Sequence, residues 1–229
     1  MRLRAVIFDF DGLILDTETT EIEAWRPEYD RFGWPFPLDY FQWAVGRGAE
    51  QIVETPFERY VSVARTSGST ATLDYEEVTN RVRDRRARAL RELEPRPGIR
   101  ELIDQAGIFG TVAIASSSDG GWVTGHLDRV GLRAAFEVVV TRERVERTKP
   151  APDLYLSALS DLDVEPDEAI VLEDSRNGVL AAQAAGIAVV AFPNPLTAGL
   201  DFSEATTVWT QERAPSYSEL LAIHAASRR

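Results

Sequence analysis

The chain of 229 residues has no cysteine. That excludes a thiol nucleophile, a thiolate metal site, a thiol redox motif and a disulfide framework. Histidine is almost absent too, with only His126 and His224. One falls in a surface-type helical stretch and the other in the terminal one, so both read as structural. A hydrolase that relies on a histidine base is therefore disfavoured. Long apolar runs are missing: no window approaches the roughly 18 residues that suggest a membrane span. Met1–Phe10 passes straight into a strand pattern without the form of a signal peptide, so a cytoplasmic protein is expected. Positive charge is in deficit, with 25 basic against 37 acidic side chains and a formal net charge of −12. Nucleic acid and anionic membrane both favour a positive field, so neither is an expected partner, although a local positive pocket is compatible. No segment points to an obligate protein partner.

Lysine is the scarcest of the charged residues. Of the 25 basic residues, 24 are arginine and one is Lys149. An ammonium is a compact point charge and a guanidinium is a planar fork, so a site built around the first need not accept the second. The surroundings of Lys149 are therefore the place to look for chemistry.

What is present is ordinary for a soluble globular protein, with 44% hydrophobic and 27% charged residues. A chain of this length buries roughly 70–75% of its unfolded surface and needs no disulfide or structural metal to fold. Short, continuous β-rich runs stand at Leu3–Phe10, Thr111–Ala115, Phe136–Thr141, Ala169–Leu172 and Ala188–Phe192. Such runs read as strands buried on both faces. Helical stretches lie between them at Ile99–Ala106, Gly121–Val130, Asp153–Leu162 and Asn177–Ala185, with Gly107, Gly131 and Gly186 where C-terminal caps are expected. Ser216 and Glu219 have capping-box spacing at the last helix. The alternation predicts an α/β fold, a doubly wound and mainly parallel sheet.

After the first strand the pattern changes. Residues 17–94 are helical: Ile22, Trp25, Tyr29 and Phe32 form one stripe, Val78, Val82 and Leu90 another, and Ser67–Thr72 reads as a loop. Pro27 predicts a kink or break. The expected division is a core of residues 1–16 and 95–229 and a helical second domain of residues 17–94, with linkers near Asp16 and Pro95–Pro97. Arg81, Arg83, Arg85, Arg86, Arg88 and Arg91 read as a solvated basic face with acidic neighbours rather than a binding surface.

Ligands of doubly wound sheets bind at the carboxyl ends of the strands. Asp9 and Asp11 follow the first strand, Ser116–Ser118 the second, Lys149 stands ahead of the Asp153 helix, and Glu173, Asp174 and Ser175 follow the fourth. Two carboxylates, a hydroxyl, an ammonium and a further acidic pair thus converge from four segments. The set suits phosphoryl transfer. A few carboxylates with open positions suit Mg²⁺, which keeps water and accepts substrate phosphate. One carboxylate can be a nucleophile, and the other, two residues on, a general acid and base. The ammonium screens the approach of two anions. Ser116 and the backbone N–H groups of Ser117–Asp119 can hold phosphate oxygens at a helix start.

These motifs resemble the haloacid dehalogenase (HAD) superfamily. Asp9-Phe10-Asp11-Gly12-Leu13-Ile14-Leu15-Asp16-Thr17-Glu18 is similar to its first motif, Ser116 to its second, Lys149-Pro150 to its third, and Glu173-Asp174-Ser175 to its fourth. The insert after the first motif resembles the C1 cap of the β-phosphoglucomutase-like and phosphoglycolate-phosphatase-like branch. The resemblance implies that Asp9 is the nucleophile and a metal ligand. It makes Asp11 the general acid/base, binding Mg²⁺ through its backbone carbonyl. Ser116, Ser117 and Lys149 would bind phosphate, and Asp174 would be the other carboxylate ligand. Glu173 would lie beside it in the first or second shell, and Ser175 would hold metal-bound water.

Departures choose among branches. Asp11 argues against dehalogenase activity, which lacks that aspartate. The absence of any lysine but Lys149 excludes a Schiff-base phosphonoacetaldehyde hydrolase. Glu21 stands where the mutases carry a cap histidine, and Ala49 where they carry an arginine, although Arg47 is near. Tyr40–Glu50 suits a loop facing the site, with Tyr40, Phe41 and Trp43 read as core and Arg47 as a specificity candidate. The expected function is Mg²⁺-dependent hydrolysis of a small phosphorylated metabolite, a sugar phosphate among the candidates, through an aspartyl-phosphate. A phosphosugar mutase is the alternative, and a non-catalytic phosphate-binding protein the third reading.

Overall fold

The computed structural model describes residues 2–48 and 51–228. Six parallel strands form one sheet in the order β3-β2-β1-β4-β5-β6. They are β1 (Ala5–Phe8), β2 (Thr111–Ala115), β3 (Val138–Val140), β4 (Ala169–Glu173), β5 (Ala188–Ala191) and β6 (Thr207–Val208). The expected α/β class and parallel sheet are what the chain adopts. Alternate side chains of each strand feed opposite faces, as the two-residue period requires. Val6, Phe8, Ile114, Leu172 and Val190 enter one buried cluster with α5 (Ile99–Phe109), α6 (Gly120–Arg129) and α9 (Tyr217–Ala226). Ile7, Ala113, Val171 and Val189 enter the other with α7 (Asp153–Leu162) and α8 (Arg176–Ala184). Burying each such Val, Leu, Ile or Phe contributes about 1.5–3 kcal/mol.

Gly131 and Gly186 take the left-handed conformation expected of helix-ending glycines. Gly107 does not cap. Helix α5 continues to Phe109 and stops at Gly110, whose missing Cβ admits the Arg4 carbonyl at the start of β2. The Ser216–Glu219 capping box forms.

Between β1 and α5 lie α1 (Thr17–Asp30), α2 (Leu38–Ala44), α3 (Pro56–Thr66) and α4 (Tyr75–Glu92), with a buried cluster of their own around Trp25, Tyr29 and Tyr60. The expected break at Pro27 does not occur: α1 runs through it to Asp30, and the missing Pro27 N–H leaves only the Glu23 carbonyl without its helical donor. Ile22, Trp25 and Tyr29 are buried, but Phe32 lies beyond the helix and is exposed. Tyr40 and Phe41 are core, while Trp43 is exposed. The stretch expected to be a loop from Tyr40 is helical up to Ala44. Glu28 is buried and accepts bonds from both Arg81 and Arg85. Burial alone would raise its carboxyl, but the two guanidinium groups outweigh it and hold the group below the usual range. The basic face is therefore partly turned inward. Arg96 ties the returning linker down through the carbonyls of Gly12, Phe192 and Pro193 at 2.7–2.9 Å.

Candidate active site

The carboxyl ends of β1, β2 and β4 bring the predicted residues together. The Asp9 N–H donates to the Leu172 carbonyl at 3.0 Å, extending the ladder one residue past β1. Phe10 turns into the core, so Asp11 faces the opening. Gly12 has φ +82°, and a Cβ there would stand 2.2 Å from Asp174 Oδ2, so only glycine fits both turn and neighbour.

Lys149 is buried and donates to Asp9 and, at 2.6 Å, to Glu173 Oε1. Burial alone would strip its proton, but Asp9 and Glu173 outweigh it and hold the ammonium charged. Glu173 is fully committed. Its Oε1 also accepts from the Tyr155 hydroxyl at 3.0 Å, and its Oε2 accepts from Ser175 N and Oγ at 2.8 and 2.9 Å. A Cβ on Gly178 would stand 1.7 Å from that carboxylate. With four donors on two oxygens, Glu173 orients Lys149 and has no open side. Ser175 is committed as well: its Oγ accepts from Gly178 N at 3.0 Å, capping α8.

Asp174 differs. Its Oδ2 accepts from Asn194 Nδ2 at 2.8 Å, while its Oδ1 is buried with no partner. An orphaned carboxylate oxygen is costly unless a cation meets it. Oxygens of Asp9, Glu173 and Asp174 lie within 4.8 Å of one another. Burial raises Asp174, and the charges of Glu173 and Asp9 raise it further. Asp9 is pushed up to about 8, by burial first, against the pull of Lys149, with Glu173 and Asp11 adding to the rise. A hard divalent cation reverses this, since it favours the ionised forms. The oxygen-only donor set fits such an ion, with Asp9 and Asp174 as the available carboxylates.

The Asp11 carboxylate stands outside that cluster. Its Oδ2 accepts from Ser118 Oγ at 2.6 Å, and its Oδ1 from Thr17 Oγ1 and Trp122 Nε1, both at 2.8 Å. The sequence reading placed Ser118 at the strand end and Thr17 in the first motif without foreseeing their hydroxyl bonds to Asp11, and it missed Trp122 and Asn194, which had no local signal. Ser116 is buried, and its Oγ accepts from Ser118 N at 3.1 Å. Ser117 lines the same opening, its hydroxyl donating to the Gly46 carbonyl of the insert at 3.3 Å.

A pocket of about 410 Å³ opens between the sheet edge and the helical insert. Asp9, Asp11 and Ser116 lie at its floor, and Glu18, Glu21, Arg47 and Arg86 contribute from the insert. Glu18 is pushed up to about 8, by burial first and then by Asp11, Glu21 and Asp9. Glu21 Oε2 lies 2.7 Å from Arg86 Nε and its Oε1 accepts from Trp25 Nε1 at 3.0 Å. Arg47 stacks on Trp43 at 4.6 Å and reaches Gln51 at 3.4 Å. Ala49 and Glu50 lie outside the described residues. Besides the Thr17–Asp11 bond and a bond from the Arg129 guanidinium to the Arg91 carbonyl at 3.2 Å, uncharged hydrogen bonds tether the insert to the core. Asn177 donates to Val45 O at 3.0 Å, Gln51 to Lys149 O at 3.0 Å and Gln42 to Leu196 O at 2.9 Å, beside the Ser117–Gly46 bond. Among the described residues no helix is long and apolar enough to cross a membrane.

Known proteins resemble this chain in sequence and fold. The family described as haloacid dehalogenase-like hydrolase matches residues 6–192. The chain is 39% identical over 203 residues to a candidate phosphatase of Bacillus subtilis, YhcW, covering 88% of this chain and 89% of that protein. It is 32% identical over 190 residues to the phosphorylated carbohydrates phosphatase of Thermotoga maritima, covering 81% and 82%. The structure of CbbY from Rhodobacter sphaeroides in complex with phosphate is similar at a TM-score of 0.66 and 26% identity, over 92% of this chain and 95% of that one. With the match spanning most of its length and both faces of its sheet, the chain belongs to the haloacid dehalogenase-like hydrolases.

Proposed function

We propose that this hydrolase is a Mg²⁺-dependent phosphatase acting on a small phosphomonoester, with a phosphorylated carbohydrate as the favoured class. The observation that carries the reading is the orphaned Asp174 oxygen beside the Asp9–Lys149 pair, next to a separately held Asp11. The first fits a cation and a nucleophile, and the second fits a proton carrier. Relatives named as phosphatases, one of them for phosphorylated carbohydrates, support the substrate class.

In the reaction, an Asp9 oxygen attacks phosphorus as the bond to the ester oxygen breaks. Asp11 gives its proton to the departing alkoxide. Its carboxylate then takes a proton from water as that water attacks the phosphoryl-Asp9, releasing phosphate and restoring Asp9. Lys149 balances charge at the nucleophile, and Ser116 with the amides at the start of α6 holds phosphoryl oxygens. Mg²⁺ held by Asp9, Asp174 and the Asp11 carbonyl would neutralise the transferring group's charge. Residues 17–94 serve as the cap that closes over the substrate, with Glu18, Glu21 and Arg47 near its non-reacting part.

Glu21, paired with Arg86, replaces the mutase histidine, so water rather than a second sugar hydroxyl is the expected acceptor. The test is a panel of phosphate esters with Mg²⁺ or chelator, including β-glucose 1-phosphate. Phosphate release that stops in chelator supports the proposal. Glucose 6-phosphate formed without phosphate release would make the chain a mutase, and turnover in excess chelator would remove the metal.

A further inference from the structure

Trp122 is the third residue of α6 in the core, and its backbone N–H is capped by Asp119 Oδ1 at 2.8 Å. Its side chain stands at a junction. The indole N–H donates to Asp11 Oδ1 at 2.8 Å. The His126 ring, one turn on, packs edge-on against it at 4.3 Å. Over the indole lies the Arg86 guanidinium, 4.9 Å from the ring centroid. Arg86 comes from α4 of the helical insert, and Glu21 of α1, another insert helix, holds it at 2.7 Å. A continuous line of contacts therefore runs from the insert to the carboxylate that carries protons: Glu21, Arg86, Trp122, Asp11.

The parts have distinct physical jobs. A bond from a neutral N–H fixes which way a carboxylate points, and among the described residues Asp11 has two other side-chain donors, Thr17 and Ser118. A guanidinium over an indole restrains the plane of the ring as well as attracting it. The aim of the Trp122 N–H thus depends on where the insert places Arg86.

We propose that Trp122 is a positioning residue for Asp11 and that Arg86 makes this positioning conditional on closure of the insert. The proposal rests on the phosphatase reading above. When the insert is closed, Arg86 clamps the indole and Asp11 is aimed for proton transfer. When it opens, the clamp leaves with α4 and Asp11 loses one restraint while water has access.

Trp122→Phe tests it, because phenylalanine keeps an aromatic face for Arg86 and His126 and removes the N–H. Phosphorylation of Asp9 is followed by mass, with a matched aryl and alkyl phosphate as donors. The alkyl donor needs its leaving oxygen protonated and the aryl donor hardly does. The variant should lose about tenfold in transfer from the alkyl ester and no more than about twofold from the aryl ester, with KM little changed. In an Asp11→Asn background the same substitution should cost nothing further, because the residue it aims is already disabled. Arg86→Met, with Trp122 intact, should reproduce the alkyl-selective loss at about threefold, and serves if Trp122→Phe does not fold. Equal losses on both esters, or a loss that adds to Asp11→Asn, overturn the role of Trp122. An Arg86→Met change confined to KM overturns the link to the insert. A wild type that never phosphorylates Asp9 overturns the phosphatase reading and this inference together.

Discussion

Two regions of this molecule bury an acid against cations and do opposite things with it. In the helical insert, Glu28 meets Arg81 and Arg85, and its carboxyl is held below its usual range. At the sheet edge, Lys149 serves Asp9 and Glu173 at once, while Asp174 keeps a buried oxygen with no partner. The first arrangement closes on itself. The second leaves charge unbalanced, and Asp9 and Asp174 are both raised. A structural ion pair uses as many donors as it needs; a reactive site withholds some. The choice of cation follows the same division, since two forks can share one carboxylate, whereas a point charge fits between two carboxylates.

The strongest way to break the comparison is Asp9→Asn. It should reduce turnover of any phosphate ester below detection and leave no phosphorylated protein by mass. Next comes Lys149→Arg, which keeps the charge but not its shape and should cost at least about 10²-fold in kcat. Near-wild-type turnover would mean the site is indifferent to the cation, as the insert's pair is. Asn194→Ala removes the donor that holds Asp174 Oδ2 and should weaken Mg²⁺ binding about 10- to 100-fold by calorimetry, with the fold intact. In the insert, Glu28→Ala should lower stability by about 2 kcal/mol in urea, less than a wholly buried pair would lose because both arginines are partly exposed. Activity per folded molecule should survive; if it falls with stability, the two regions are not separable.

The smallest effect is one of pH. Asp9 and Glu18 both rise to about 8 in the metal-free fold. The folded chain then holds protons that the unfolded chain has released above about pH 4–5. Stability in chelator should therefore fall as pH rises from about 5 to 8 and level off beyond. Glu18→Gln should flatten part of that slope in thermal melts, and Mg²⁺ should flatten more. A metal-free midpoint that climbs with pH over this range would contradict the sign.

The strands and core helices were legible because each apolar run is continuous and ends in a turn residue. Asp153–Leu162 and Thr111–Ala115 match to the residue. The two-residue β6 carried too few side chains to signal. Gly107 misled because a glycine tolerated mid-helix looks the same in sequence as one that ends it. Asp9, Asp11, Ser116, Lys149 and Asp174 could be read at strand ends, where topology alone brings them together. Trp122 and Asn194 could not, because their partners lie 111 and 20 residues away and no spacing rule joins them. Ser117 lines the pocket as its place in the serine run suggests, but its bond to the insert could not be read from spacing.

The tethers between insert and core have a consequence for how the enzyme admits its substrate. Apart from Arg86 on Trp122, Arg129 on the Arg91 carbonyl and Thr17 on Asp11, the bonds from Gln42, Gln51, Ser117 and Asn177 join amides or a hydroxyl to carbonyls or a hydroxyl, and among the described residues none of the tethers joins two charges. Added salt screens ionic attraction over a Debye length of about 8–10 Å but leaves such bonds nearly unchanged. If the insert opens as proposed, ionic strength acts on the approach of the anionic ester and on the cationic contacts, and barely on the other tethers. Heat and urea loosen those other tethers too, so the two halves of substrate entry should respond differently to salt and to denaturant in one and the same molecule.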